Sequence, residues 1–354
     1  MEMERPRVTQ SQFHGILGRM PIDVHAHYVP LRILETLERR AADFGVDLLE
    51  DAPGCQKCLQ FQYGARIRPF FPRLLEVPER RIEAMRAQGI DRQILSLWAD
   101  IFGHGLPLEQ GLKWHQLMNE SLAELCEAHP RAFSWLASGP LPHAGFAARE
   151  LERAVKQRGA AGGVVAANIE GVNLGEFNLD EYWAAAVELG VPVFIHPAQP
   201  NPTARTKLYA LNQIAQYTFD TSLCVGSLIG SGVLDRFPKL ELILSHGGGA
   251  FPYLVGRFDC MHGRMDRAGQ KNVAAHAPSA YLGRFSYDSI LHDPSALVYL
   301  ARRVGIGRIV LGSDDPFPPM DRTPLATLQA AEFSAVEIER ITDANPRRLF
   351  RLPA

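Results

Sequence analysis

Pro21-Ile22-Asp23-Val24-His25-Ala26-His27 is a short apolar run that ends in two histidines spaced i, i+2. In an extended strand alternate side chains share a face, so His25 and His27 point the same way and can grip one metal ion. On a helix, residues two apart face different directions, and two imidazoles cannot converge in this manner. A His-x-His pair on a strand is also common as a satisfied pair with no ligand. Its meaning depends on how the other strands of the chain end.

Beyond this run, apolar strand-like segments alternate with amphipathic helical ones. The pattern predicts strands over 21–27, 90–98, 132–138, 162–168, 191–196, 241–246, 284–288 and 308–313. Helical patterns fall over 78–88, 112–128, 144–158, 179–189, 211–237 and 296–304. Pro78 suits a first turn, where its missing N–H costs nothing, and Gly89 and Gly190 suit helix stops. Eight strands alternating with helices predict a parallel (β/α)8 TIM barrel, one domain over residues 1–354. The stretch 41–76, dense in Pro, Gly and aromatics, reads as a small lid-like insertion after the first strand and helix. The tail over 321–354 reads as one or two helices outside the barrel.

Composition narrows the function classes. A net charge of -2 gives no basic stripe for nucleic acid or an anionic membrane. There is no apolar run of about 18 residues to cross a bilayer. The stretch Met1–Met20 is polar, without the apolar core of a signal, so a cytoplasmic location is expected. Five cysteines, an odd number, argue for reduced thiols. Cys55-x-x-Cys58 has the spacing of a zinc or redox pair, but no second Cys or His pair is near it in sequence, and it reads as two thiols in the insertion.

In a (β/α)8 barrel the functional residues sit at the C-terminal ends of the strands. The fifth strand ends at His196 before Pro197, the sixth at His246 before Gly247-Gly248-Gly249, and the eighth at Asp314 before Asp315-Pro316. Any one of these alone reads as a cap or a satisfied side chain; together with His25 and His27 they read as a site. Three histidines and a carboxylate suit a borderline divalent ion such as Zn2+, with water completing the shell. The fourth histidine is left as an acid/base, since its ordinary pKa lies near neutrality. The glycine run after His246 lacks the strand-to-helix G-x-G-x-x-G pattern of a phosphate loop and reads as close backbone approach.

These strand ends resemble the amidohydrolase superfamily, and the wording is closest to its amidohydrolase-2 decarboxylases of the aminocarboxymuconate-semialdehyde type. The matching phrases are Phe237-Pro-Lys-Leu240, Ser245-His-Gly-Gly-Gly-Ala-Phe-Pro-Tyr253 with Val255-Gly-Arg257, His292-Asp-Pro294 and Leu311-Gly-Ser-Asp-Asp-Pro-Phe-Pro318. The resemblance runs from Met20 to Leu352 and is strongest over 224–318. It implies metal ligands His25, His27, His196 and Asp314, with Asp314 also part of the catalytic machinery. It implies His246 as the base acting on a metal-bound water. Arg257 matches an arginine that reaches a substrate carboxylate in the neighbouring subunit, which implies a homodimer. A second substrate arginine comes from the insertion, with Arg68 placed ahead of Arg66. The activity implied is a metal-dependent, non-oxidative decarboxylation of a small aromatic or muconate-semialdehyde-like acid, with one divalent ion, Zn2+ first and Mn2+ second. A hydrolase of the same superfamily, acting on an amide, lactone or carbon–carbon bond, is the alternative, and a barrel that only binds is a third reading.

Two departures bear on the substrate. The family has a Trp soon after the fifth-strand His-Pro where this chain reads Ala198-Gln199, and a Tyr where Asp315 stands. Both positions are expected to border the pocket. The fourth strand, Gly162–Asn168, carries no lysine to bridge two ions. Glu170, just beyond it, keeps a second metal open, with one metal favoured.

Overall fold

Runs rich in Val, Ile, Leu and Phe pair into the strands β1 (Ile22–His27), β2 (Arg92–Ser96), β3 (Phe133–Ala137), β4 (Gly162–Ala166), β5 (Val193–His196), β6 (Leu242–Leu244), β7 (Phe285–Asp288) and β8 (Ile309–Val310). In the computed structural model, which describes residues 20–353 except 51, 53, 199–201, 263 and 265–272, each strand is parallel to the next in chain order. Gln199 and the stretch before Met20 lie outside the described residues. The loop after β8 closes the ring onto β1: Val24 N–H donates to Leu311 O at 2.9 Å, and Asp314 N–H to His25 O at 2.8 Å. The architecture is a (β/α)8 barrel.

Strands covered on both faces read as continuous apolar runs rather than alternating ones. Val24, Ile94, Val164, Phe194, Ile243 and Val310 are each at most 1% exposed. Truncating one such residue, Phe194→Ala for example, costs about 3–5 kcal/mol in lost transfer energy and cavity.

The surrounding helices are α1 (Leu31–Phe44), α2 (Pro78–Ala87), α3 (Leu108–Ala128), α4 (Ala144–Arg158), α5 (Asp180–Leu189), α6 (Tyr217–Gly230), α7 (Val233–Arg236), α8 (Phe251–His262) and α9 (Pro294–Val304). Pro78 occupies the first turn of α2, and Gly190 ends α5 with φ 64°. α1 continues past residue 41 across a kink at Arg40 (φ -142°), with Phe44 buried like Ile33 and Leu37 before it, and Gly45 then stops it in the left-handed region. The long pattern over 211–237 is divided: a π-turn, Asn212–Gln216, precedes α6, and Gly232, with φ 72°, separates α6 from α7.

Between α1 and α2 lies an antiparallel hairpin, Val46–Leu49 paired with Cys58–Phe61. From the hairpin Phe61 packs on α3, its ring centroid 6.3 Å from that of Trp114, and Phe70 beyond it lies 6.0 Å from Trp98. At the other end of the chain come α10 (Pro324–Ala330), which packs on α9, α11 (Ala335–Glu339), and α12 (Asn345–Phe350), which lies against β8. There Asn345 Nδ2 donates to Ile309 O at 2.7 Å, tying the last helix to the strand.

Candidate metal centre

The alternation of β1 turns His25 and His27 into the barrel mouth, both fully buried, with their Nε2 atoms 3.0 Å apart. His196 closes β5 beside them. Asp314 follows β8 in a left-handed turn with φ 60°, which swings its carboxylate inward. One ligand atom from each of His25, His27, His196 and Asp314 lies within 4.8 Å of the others.

The outer nitrogen of each imidazole is held. His25 Nδ1 is 2.6 Å from Asp288 Oδ2, His27 Nδ1 is 3.1 Å from Ser96 Oγ and 3.4 Å from Leu97 O, and His196 Nδ1 is 2.8 Å from Pro197 O. These acceptors assign the ring proton to Nδ1 and turn three Nε2 lone pairs to one point. Asp314 Oδ1 sits 3.3 Å from Nε2 of both His25 and His27. His196 Nε2 and Asp314 Oδ1 are buried without a hydrogen-bond partner. Converging acceptors with no donor among them are costly in a buried place unless a cation sits at their centre. The donor set is that of a divalent metal site, and the residues fit the ion.

The electrostatics agree. Burial pushes His27 down to about 4 and His196 well below its ordinary value. Burial also acts to raise Asp314, but His25, His246 and His27 outweigh it and hold the carboxyl well below the usual range. For His25 burial is overcome by Asp314 and Asp288, which raise it to about 10.

His246 follows β6 rather than ending it, because the chain leaves the extended region at φ 53°. Its Nε2 is 3.5 Å from Asp314 Oδ2, its side chain is 14% exposed, and its Nδ1 is buried without a partner. The following glycines are required by space as well as by backbone angle: a Cβ on Gly249 would lie 2.0 Å from Thr218 O, and one on Gly247 2.5 Å from Leu291 Cδ2. Asp288, the last residue of β7, holds this arrangement together. Its Oδ2 accepts the His246 N–H at 2.8 Å as well as the His25 ring, and its Oδ1 accepts the Gly247 N–H at 2.8 Å. The sequence reading drew the seventh strand to residue 288 and passed over this aspartate. Its signal was the one used elsewhere, a carboxylate at the C-terminal end of a barrel strand.

A cavity of about 380 Å3 opens above the cluster, walled by Arg68, Trp98, Tyr217, Phe317, His196 and His246. Of the two insertion arginines, only Arg68 is among the residues that wall it. Arg66 pairs along the hairpin with Gln60 and donates to Cys58 Sγ at 3.5 Å. Arg257 lies on the exposed side of α8, against a separate cavity of about 890 Å3. Glu170 stands outside the cluster and accepts from Tyr63 Oη at 3.1 Å. Ala198 faces a neighbouring cavity of about 220 Å3. Asp315, expected at the pocket border, is turned the other way. It is fully buried, with Oδ1 2.9 Å from Arg73 and Oδ2 3.2 Å from Arg81. Arg81 also donates to His27 O at 3.1 Å and Asp315 O at 2.9 Å, so this ion pair braces the backbone behind the metal ligands. The left-handed turn at Asp314 sends the two neighbouring carboxylates to different sides, and Asp314 takes the inner one.

A 2-amino-3-carboxymuconate-6-semialdehyde decarboxylase from Dictyostelium discoideum is 31% identical over 272 residues, 76% of this chain and 75% of the relative. Among solved structures, a 5-carboxyvanillate decarboxylase from Sphingomonas paucimobilis is 25% identical, with a TM-score of 0.78 over 94% of this chain and 99% of that one. A 5-carboxyvanillate decarboxylase from Novosphingobium aromaticivorans with bound manganese shares the fold at 22% identity, with a TM-score of 0.79 over 96% of this chain and 99% of that one. The amidohydrolase family pattern matches residues 22–352, and with the metal cluster at the mouth of its barrel this chain belongs to that family.

Proposed function

We propose that this chain is a metal-dependent, non-oxidative decarboxylase of a small carboxylated acid, aromatic or muconate-semialdehyde-like. The observation that carries the reading is the arrangement of the 380 Å3 cavity, with His246 beside the metal cluster at its floor and the guanidinium of Arg68 in its wall. The relatives named above are decarboxylases of acids of this kind. His25, His27, His196 and Asp314 would hold a divalent ion, which would supply Lewis acidity at the cavity floor and lower the pKa of water there. Arg68 holds an acidic group of the substrate, while Trp98 and Phe317 offer faces for a planar carbon skeleton. His246 moves a proton toward the carbon that bears the carboxylate; the bond to that carboxylate then breaks and CO2 leaves. Asp288 keeps the His246 backbone and the His25 ring in register, so that the proton carrier and the ion stay in fixed relation.

The three-histidine, one-carboxylate set favours a single Zn2+, with Mn2+ as the second choice. Elemental analysis of protein purified without added metal decides between them. The subunit arrangement is part of the same reading. Around Arg257 the surface is apolar, with Phe219, Leu223 and Met261 exposed by 52, 60 and 47%. Such a patch suits a second copy of the chain, with Arg257 reaching the partner's pocket. A cytoplasmic setting suits five thiols of which none forms a disulfide.

The test is CO2 release by metal-replete protein from a panel of hydroxylated benzoates and carboxymuconate semialdehydes. Turnover of at least one of them is expected. Cleavage of amides or lactones with no CO2 from any acid would establish the hydrolase instead.

A further inference from the structure

The guanidinium of Arg68 is held from three separate parts of the chain. Its Nη2 is 3.2 Å from Tyr217 Oη, at the start of α6, and 3.4 Å from Asp100 Oδ2, in the turn after β2. Tyr217 Oη in turn donates to Asp100 Oδ2 at 2.9 Å. The phenol proton therefore points at the carboxylate, and the phenol oxygen is left to accept from the arginine. The Asp100 side chain is fully buried, while that of Arg68 is 24% exposed. Aromatic rings close the remaining sides, with Arg68 Cζ 4.8 Å from the Trp98 centroid and 5.5 Å from that of Phe71. Arg68 Nε is buried without a partner.

This is an asymmetric use of a group with five donors in a rigid fork. One nitrogen is committed to Tyr217 and Asp100, and the plane is fixed between rings. The other edge carries the donors left for a ligand. Burial and the neighbouring carboxylate keep the Tyr217 phenol well above its ordinary value, so it remains a donor throughout the working range.

We infer that Asp100 and Tyr217 are positioning residues that present Arg68 to the substrate by one edge, and that they set the affinity of the site for a planar carboxylate. The inference rests on the decarboxylase reading only in taking Arg68 to face an acidic ligand. Asp100 acts here as an anchor and not as a competing charge. Removing it must weaken anion binding, although it leaves the pocket more positive.

The experiment measures salicylate binding to the metal-replete protein by calorimetry, alongside KM and kcat for any acid that turns over. Tyr217→Phe and Asp100→Ala are each expected to weaken salicylate binding and raise KM about tenfold, the worth of a hydrogen bond to a charged group, with kcat and bound metal little changed. Asp100→Asn keeps an acceptor and is expected to recover most of the loss. In an Arg68→Ala background, neither Tyr217→Phe nor Asp100→Ala should weaken binding further, because their effect passes through the arginine. Equal losses in both backgrounds, or tighter binding by Asp100→Ala, would overturn the inference, as would unaltered protein that binds no salicylate. Unaltered protein that binds salicylate but releases CO2 from no acid would instead sink the proposed function and leave the coupling readable from the binding constants.

Discussion

The floor and the rim of the pocket are built in opposite ways. The floor consists of residues at or just beyond strand ends, His25, His27, His196, His246 and Asp314, each delivered by a barrel strand, with the Nδ1 atoms of His25, His27 and His196 held by nearby acceptors. The rim consists of Arg68, Asp100, Tyr217 and Phe317, delivered by an insertion, a turn, a helix and a loop that meet only in the folded chain. A parallel barrel fixes the height and direction of every strand end at once, so the floor tolerates little change. The rim depends on contacts between segments more than a hundred residues apart, and it can be retuned without disturbing the ion.

The largest effects belong to the floor. His25→Ala and Asp314→Ala should each lose metal and turnover together. Full metal content in either variant, measured by elemental analysis, would break the assignment of the cluster. Next comes His246→Asn, expected to keep its metal while kcat falls about 10²–10⁴-fold, as for loss of a positioned proton carrier. An enzyme at full rate would remove His246 from the chemistry.

A smaller effect is expected behind the ligands. Asp288→Asn leaves the shape intact but weakens the acceptor for His25 and for the backbone of His246, and metal affinity should fall about 10–100-fold. Competition with a chelator reads this directly, and unchanged affinity would show that the strand ends hold the ion without support.

The smallest effect on turnover concerns the packing beneath the rim. Both ring nitrogens of His104 are buried without partners, the ring stacks on His115 at 5.7 Å, and burial pushes it down to about 4. A histidine kept neutral by folding contributes stability above its unfolded pKa of about 6.5, and that stability is lost as pH falls toward 4. The unfolding free energy from urea titrations should therefore drop less between pH 7 and pH 4.5 for His104→Phe than for the unaltered protein, by about 2–3 kcal/mol in the difference. Equal drops would show that acid acts elsewhere.

The strands and the four cluster residues were legible in the sequence for one reason. An apolar run followed by a polar residue and a turn signal marks a strand end, and a parallel barrel puts all such ends on one face. The eight observed strands fall within the stretches read from the sequence. The strand ends were drawn too long at His246 and Asp314, because both residues turn left-handed beyond their strands. Asp288 carried the same signal as its neighbours and was left unused, since a carboxylate that orients a ligand looks in sequence like any other aspartate.

What the sequence by itself determined is the barrel and the metal-ligand set at its mouth, because side-chain alternation and strand direction are local properties that add up to a shared face. Which of Arg66 and Arg68 enters the pocket, that Asp315 turns to Arg73 and Arg81, and that Asp100 and Tyr217 hold Arg68 were decided by tertiary structure alone. Those outcomes depend on where an inserted hairpin and two loops pack. That packing is set by Phe61, Phe70 and Phe71 against Trp98, Trp114 and Phe317, and no spacing within one segment encodes it.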